Sequence, residues 1–220
     1  MMQHEVEQSK FKKIIHDIFV FPFYILTHPI KGYEDFKLEK KGEMYVAIFY
    51  VFMMILSAVL TATARGFLVR DPWDETFNLG RTTLLVLAPI ILFTIGNWSI
   101  TTLFDGKGKI KEIFMVLMYG LIPYIWVSIP ATLLSNFLVS DEVALYLSLF
   151  SVGTFLSAYM IFMGLLVTHE FGLLKTILTI LATLIAVAVI IFIGVLILTI
   201  FQQLFVFLKA LYEEITLRMR

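Results

Sequence analysis

Five stretches of this chain, residues 44–64, 82–104, 113–134, 143–168 and 176–208, contain no Asp, Glu, Lys or Arg. Each reaches the roughly 20 residues a helix needs to cross a hydrocarbon core of about 30 Å. In that medium no water is present to pair backbone groups, so a helix that satisfies its own is the form such runs take. The expected fold is all-α: a polytopic membrane protein built as a five-transmembrane-helix bundle, with amphipathic interfacial helices at both ends. It divides into an arm (1–43), the five-span domain (44–208) and an amphipathic tail (209–220).

The charged fraction is 15%, against about 25% in soluble domains, so nearly all the mass belongs in the membrane. Net charge is zero, which gives no bulk electrostatic reason to bind nucleic acid. The absence of cysteine excludes disulfides, thiolate metal sites and thiol nucleophiles. The polar, basic first segment does not read as a cleavable leader, and the first span serves as its own insertion signal.

Placing the N-terminus in the cytoplasm puts eleven Lys and Arg on that side and six on the other. The positive-inside rule then favours N-terminus in and, after five spans, C-terminus out.

In the arm, Phe11, Ile14, Ile15, Ile18 and Phe19 recur at helical spacing opposite Lys12, Lys13, His16 and Asp17. That pattern suits a helix lying in the interfacial plane and resting on lipid, ended or kinked by Pro22. A second short helix starts at Pro29 and carries Tyr33, Phe36 and Lys37. Outside the membrane, Pro72-Trp73 reads as a turn at headgroup depth. Between spans two and three, 105–109 is a glycine turn, and Lys107, Lys109 and Lys111 are candidates for contact with anionic lipid. The arm residues Phe11, Ile15 and Ile18 are the corresponding apolar candidates for lipid or partner contact.

Span three contains Pro123 and Pro130, each expected to bend it. Such a helix needs neighbours on several sides, which makes it the expected central helix. Ser57/Thr61, Gly153/Ser157 and Ala182/Ala186 are small pairs at i, i+4 that let helices approach. Span five is longer than a crossing requires. It is expected to emerge near Phe201 with an apolar stripe of Phe201, Leu204, Leu208, Leu211 and Ile215, a surface for a dimer or another partner.

Ion and proton carriers place ionisable groups inside the membrane, and these span interiors hold none. The neutral groups Asn97, Tyr119, Tyr124 and Ser128, with Pro123 and Pro130, are candidates for polar packing or for lining a path. His169-Glu170 begins like HExxH, but position 173 is Leu173, so the zinc pair is missing and the dipeptide reads as a helix cap. Gly108-Lys109 is followed by Ile110 rather than Ser or Thr, so it is no phosphate loop. Ser128 has no histidine in a span to act as base. No enzyme activity, cofactor or metal is expected.

The glycine-rich basic turn 104–113 followed by Tyr119-Gly120-Leu121-Ile122-Pro123 resembles the Yip-one domain family of Ypt/Rab-interacting membrane proteins. Gly96-Asn97-Trp98 and His28-Pro29-Ile30-Lys31-Gly32-Tyr33 resemble its prokaryotic branch. The resemblance covers about residues 29–201. It implies five transmembrane helices, a cytoplasmic N-terminus, a prokaryotic cell membrane and no enzymatic activity. Eukaryotic members bind prenylated small GTPases and each other. The acidic N-terminal Asp-Leu-Tyr-Gly-Pro segment to which GTPase contact is attributed is not found here, which argues against a GTPase partner.

Two functions follow as expectations. One is a membrane adaptor or scaffold whose partners are lipids and another membrane protein or a second copy. The alternative is a transporter component or lipid-handling protein with a path near the broken third span.

Overall fold

The computed structural model describes residues 12–70 and 76–218; Phe11 and the Pro72-Trp73 turn lie outside them. Among the described residues every regular element is helical. A helical turn at 12–15 leads through a π-helical turn, His16–Val20, into α1 (Phe21–Thr27), and α2 is Pro29–Leu38. Then come α3 (Met44–Thr63), α4 (Leu79–Leu103), α5 (Ile110–Gly120), α6 (Ile122–Leu134), α7 (Val143–His169) and α8 (Leu173–Arg218). Counting α5 and α6 as one broken span, five helices are long and apolar enough to cross a membrane. The protein is an all-α polytopic membrane protein.

Helices α4, α5 and α8 each begin three residues before their uncharged runs. Arg81, Lys111 and Lys175 therefore sit in first turns. The start of each of these uncharged runs marks where hydrocarbon begins, and the helix reaches back into the headgroup layer, where a long basic side chain reaches water.

The broken span α5–α6 is central. Its most apolar window is 61% buried, against 22–33% for the first, second and fourth spans and 0% for α8, and it packs on α3, α4 and α7. A Cβ on Gly120 would lie 2.5 Å from Ile161 Cγ1 and 3.0 Å from its backbone nitrogen, so α7 passes directly against the break. Pro123 has no N–H to donate, and the next amide, Tyr124, donates to Ser157 Oγ at 3.0 Å. A neighbouring helix thus supplies the polar partner that the membrane cannot. At Pro130 α6 runs on as one helix, and the proline lies on the exposed side. Pro89, inside α4, is likewise accommodated in a continuous helix.

The small pairs sit where helices meet. Ser57 Oγ lies 2.5 Å from Ser128 Oγ and Thr61 Oγ1 3.1 Å from Thr132 Oγ1, two rungs one turn apart between α3 and α6. Gly153 and Ser157 face α6. Ala182 and Ala186 flank the buried Thr183 on the face of α8 that meets α4.

Beyond its first turns the arm docks on the bundle. Phe21, Ile25, Tyr33 and Phe36 are each 4% exposed or less, wedged against α5 and α7. Phe36 meets the Tyr119 ring edge-on at 5.1 Å and Phe21 does so at 6.2 Å. A Cβ on Gly164 of α7 would come 2.8 Å from Tyr33 Cζ. Ile14, Ile15 and Phe19 do face outward, whereas Ile18 is half-buried against the core. Pro22 does not end the helix. The π turn delivers the chain into α1 with Pro22 at its start, where a missing donor is tolerated. The Ile18 carbonyl, which a Pro22 N–H would have served in an α-helix, accepts instead from Tyr50 Oη at 2.7 Å.

Candidate functional site: a polar cluster under the docked arm

Five chain segments converge at the arm side of the bundle: α2, the end of α4, the 104–109 turn, the end of α7 and the start of α8. The α7 C-terminus centres them. His169 is its last residue and is 2% exposed. Glu170 follows in left-handed conformation, φ 56°, which stops the helix and turns its carboxylate outward.

The His169 ring is held from both sides. Gly108 N–H donates to Nδ1 at 3.3 Å, and Nε2 lies 3.1 Å from Asn97 Oδ1. With Nδ1 accepting, the hydrogen-bond pattern assigns the proton to Nε2, so the ring is a neutral donor to Asn97. Asn97 Nδ2 donates to Thr183 Oγ1 at 3.1 Å, and that hydroxyl donates to Thr179 O at 2.7 Å. The donors point one way, from the turn through α7 and α4 into α8. Asn97 and Thr183 are each at most 1% exposed, so every link is made away from water, where an unmade one is costly.

The glycine turn is built for this ring. None of the described glycines has positive φ, and the left-handed residue is Asp105, φ 58°. What Gly106 and Gly108 supply is space. A Cβ on Gly106 would stand 2.8 Å from His169 Nδ1, and one on Gly108 would stand 2.6 Å from Cε1. The turn therefore packs closely against the Nδ1–Cε1 side of the imidazole.

Above it, Glu170 joins three segments. Lys37 Nζ of α2 reaches its Oε1 at 2.8 Å and the Thr168 carbonyl at 2.9 Å, while Lys107 Nζ reaches Oε2 at 2.5 Å. Lys37 thus also serves the carbonyl end of α7, where a cation is favoured. The hydrogen bonds from Lys107 and Lys37 hold the Glu170 carboxyl down to about 2. These contacts place the arm, the 104–109 turn and the α7–α8 turn, with their lysines, on one face of the bundle.

The sequence candidates do not assemble into one path. Asn97 belongs to the polar cluster. Tyr119 supports the arm, its Oη accepting from Glu43 N–H at 3.2 Å. Ser128 is spent on Ser57, and Tyr124 meets α7 through its backbone and stacks edge-on with Phe150. Pro123 is buried at the break and Pro130 faces outward. Of the basic trio, Lys107 is engaged by Glu170, while Lys109 and Lys111 are exposed. The sequence reading took His169 for a helix cap and missed its meeting with Asn97. The available signal is that both are amide- or imidazole-bearing residues at the same end of spans two and four. Among the described residues no group of three His, Cys, Asp or Glu side chains is arranged to hold a metal.

The family model for the Yip1 domain matches residues 23–202. No curated protein and no solved structure matches the chain. The match takes in α2, the first four spans, α8 as far as residue 202, the glycine turn and the Asn97–His169 cluster, so the chain belongs to the Yip1 domain family.

Proposed function

We propose that this protein is a non-enzymatic adaptor of a cell membrane, with the arm face in the cytoplasm and the end of α8 outside. The observation that carries the reading is the Glu170 junction. One carboxylate ties the arm, the 104–109 turn and the end of α7 into a fixed platform, and Lys12, Lys31, Lys109 and Lys111 stand exposed on it. Ser57, Asn97, Ser128, Ser157 and His169, buried in the spans, are engaged with neighbouring helices, which suits a body that presents a surface. The partners are anionic lipid at the lysines and another membrane protein at the platform.

The transport alternative has one feature in its favour, a cavity of about 300 Å³ beside the break, lined by Met54, Leu121, Tyr124, Thr154, Ser157, Ala158 and Ile161. Its lining is mostly apolar, and the freed Tyr124 amide is already taken by Ser157. A lipid chain suits it better than a solute.

Crosslinking in native membranes, followed by purification and mass spectrometry, tests the adaptor reading. A stoichiometric membrane partner lost from Lys109→Glu/Lys111→Glu is the expected result. A partner-free protein, or solute flux or lipid scrambling in reconstituted vesicles, would remove it.

A further inference from the structure

Helix α8 has 46 residues, about 69 Å at 1.5 Å per residue. Even at a tilt of about 40°, the upper end of what spans adopt, it would extend roughly 20 Å beyond a hydrocarbon core of about 30 Å. Its start is fixed at the arm face by Thr176, Thr179 and Thr183, the buried residues of the helix. From residue 191 to 218 every residue is exposed. The excess length therefore leaves the membrane at the far end, as an isolated helix.

That end is not polar. Phe201, Leu204, Leu208, Leu211 and Ile215 are spaced three and four alternately, and all are 43–64% exposed. This is the a/d seam of a coiled coil. Phe205 and Tyr212, 75% and 72% exposed, flank it. Aromatic side chains carry roughly 150–250 Å² each, so the stripe offers on the order of the 800 Å² per partner that a stable interface buries. On the other side Lys209 pairs with Glu213 at 3.9 Å, and at the end of the stripe Arg218, one step beyond Ile215, pairs with Glu214 at 2.7 Å. The charges are satisfied within the helix, and the seam between Phe201 and Ile215 carries none.

We propose that residues 201–218 of α8 form a parallel two-stranded coiled coil with the same segment of a second copy. A partner must present an uncharged seam of identical spacing, and a second copy does. Copies of one topology enter the bilayer the same way round, so their α8 ends emerge side by side and parallel. The interface is isologous, each stripe covering the other, and closes as a dimer. This gives the adaptor reading one specific partner and rests on that reading only for its use: a purified dimer with no other membrane partner would keep this inference and end the adaptor reading.

The chain has no cysteine, so single cysteines report directly. In the full chain reconstituted in phospholipid vesicles, Leu204→Cys, Leu208→Cys and Leu211→Cys should oxidise to dimers at least about tenfold faster than Lys209→Cys, Glu213→Cys and Thr216→Cys, which lie off the seam. Leu208→Asp/Leu211→Asp should abolish crosslinking through Leu204→Cys and leave the melting of the bundle unchanged, because nothing in the bundle packs on this segment. Equal rates on both faces, dimers that survive the double aspartate variant, or quenching of a probe at Leu208→Cys by a lipid-borne quencher would overturn the proposal. The last result would mean that the stripe lies on the membrane surface.

Discussion

Asn97 shows how much one side chain can hold when water is absent. It bonds His169 on α7 and Thr183 on α8, and its replacement strands an imidazole N–H. Interhelical bonds in membranes average about 0.6 kcal/mol, but a buried donor left unpaired costs about 1–3 kcal/mol. Asn97→Leu should therefore destabilise the protein by about 1–2 kcal/mol, and Thr183→Val by less, both read from reversible unfolding in mixed micelles. Tyr33 is the converse. Its hydroxyl is buried without a hydrogen-bond partner, and burial pushes the phenol well above its ordinary value. Tyr33→Phe should be neutral or stabilising by about 1 kcal/mol in the same assay. The glycines divide similarly. Gly164→Ala puts a Cβ 2.5 Å from Val116 Cγ1 and should cost about 1–3 kcal/mol. Gly194→Ala meets nothing within 4 Å and should gain up to about 1 kcal/mol of helix propensity.

At the scale of elements, the arm is held by apolar burial and latched by charge. The aromatic wedge of Phe21, Phe36 and Tyr119 is indifferent to pH, while the Glu170 latch is not. A carboxyl lowered in the folded state contributes stability above its ordinary value of about 4.5 and loses it as pH falls toward about 2. Hydrogen exchange of α2 should therefore be unchanged from pH 7 to 5 and should rise between about pH 4.5 and 2 after correction for intrinsic rates. Glu170→Gln should show the loosened α2 already at pH 7. If α2 protection in that variant equals that of the parent, the latch does not hold the arm. The break between α5 and α6 is another element whose cause lies partly outside itself: Pro123 removes a donor, but Ser157 and the close passage at Gly120 give the break its place.

The whole molecule is a bundle organised around its third span, with α8 held mainly by α4. Its faces differ in character. The arm face carries the Glu170 junction and the arm lysines, and the far face carries the Gly66–Ser135 contact, where Gly66 N–H donates to Ser135 Oγ at 2.7 Å. Cysteines at Lys12 and Lys109 should react with a membrane-impermeant maleimide from the same side of sealed vesicles, and one at Arg81 from the opposite side. Placing the arm face in the cytoplasm further expects Lys12→Cys and Lys109→Cys to be protected in intact cells. Labelling of both from outside would invert the topology.

The sequence by itself determined the solvent, the number of spans and the helical class, because an uncharged run of about 20 residues or more is long enough to cross hydrocarbon as a helix. It also made the proline-bearing third span the expected centre and marked the small-residue faces, since both are local patterns with known consequences in lipid. Tertiary structure decided the rest. It made residues 21–36 of the arm a wedge, since the burial of Tyr33 and Phe36 depends on a groove formed by α5 and α7 that no local pattern reveals. It carried the chain past Pro22 by lending the Tyr50 hydroxyl to a carbonyl 32 positions away. It also made His169 the partner of Asn97, 72 positions distant. A hydrogen bond between residues so far apart in sequence exists only once two helices share an end of the bundle, and that sharing is a property of packing.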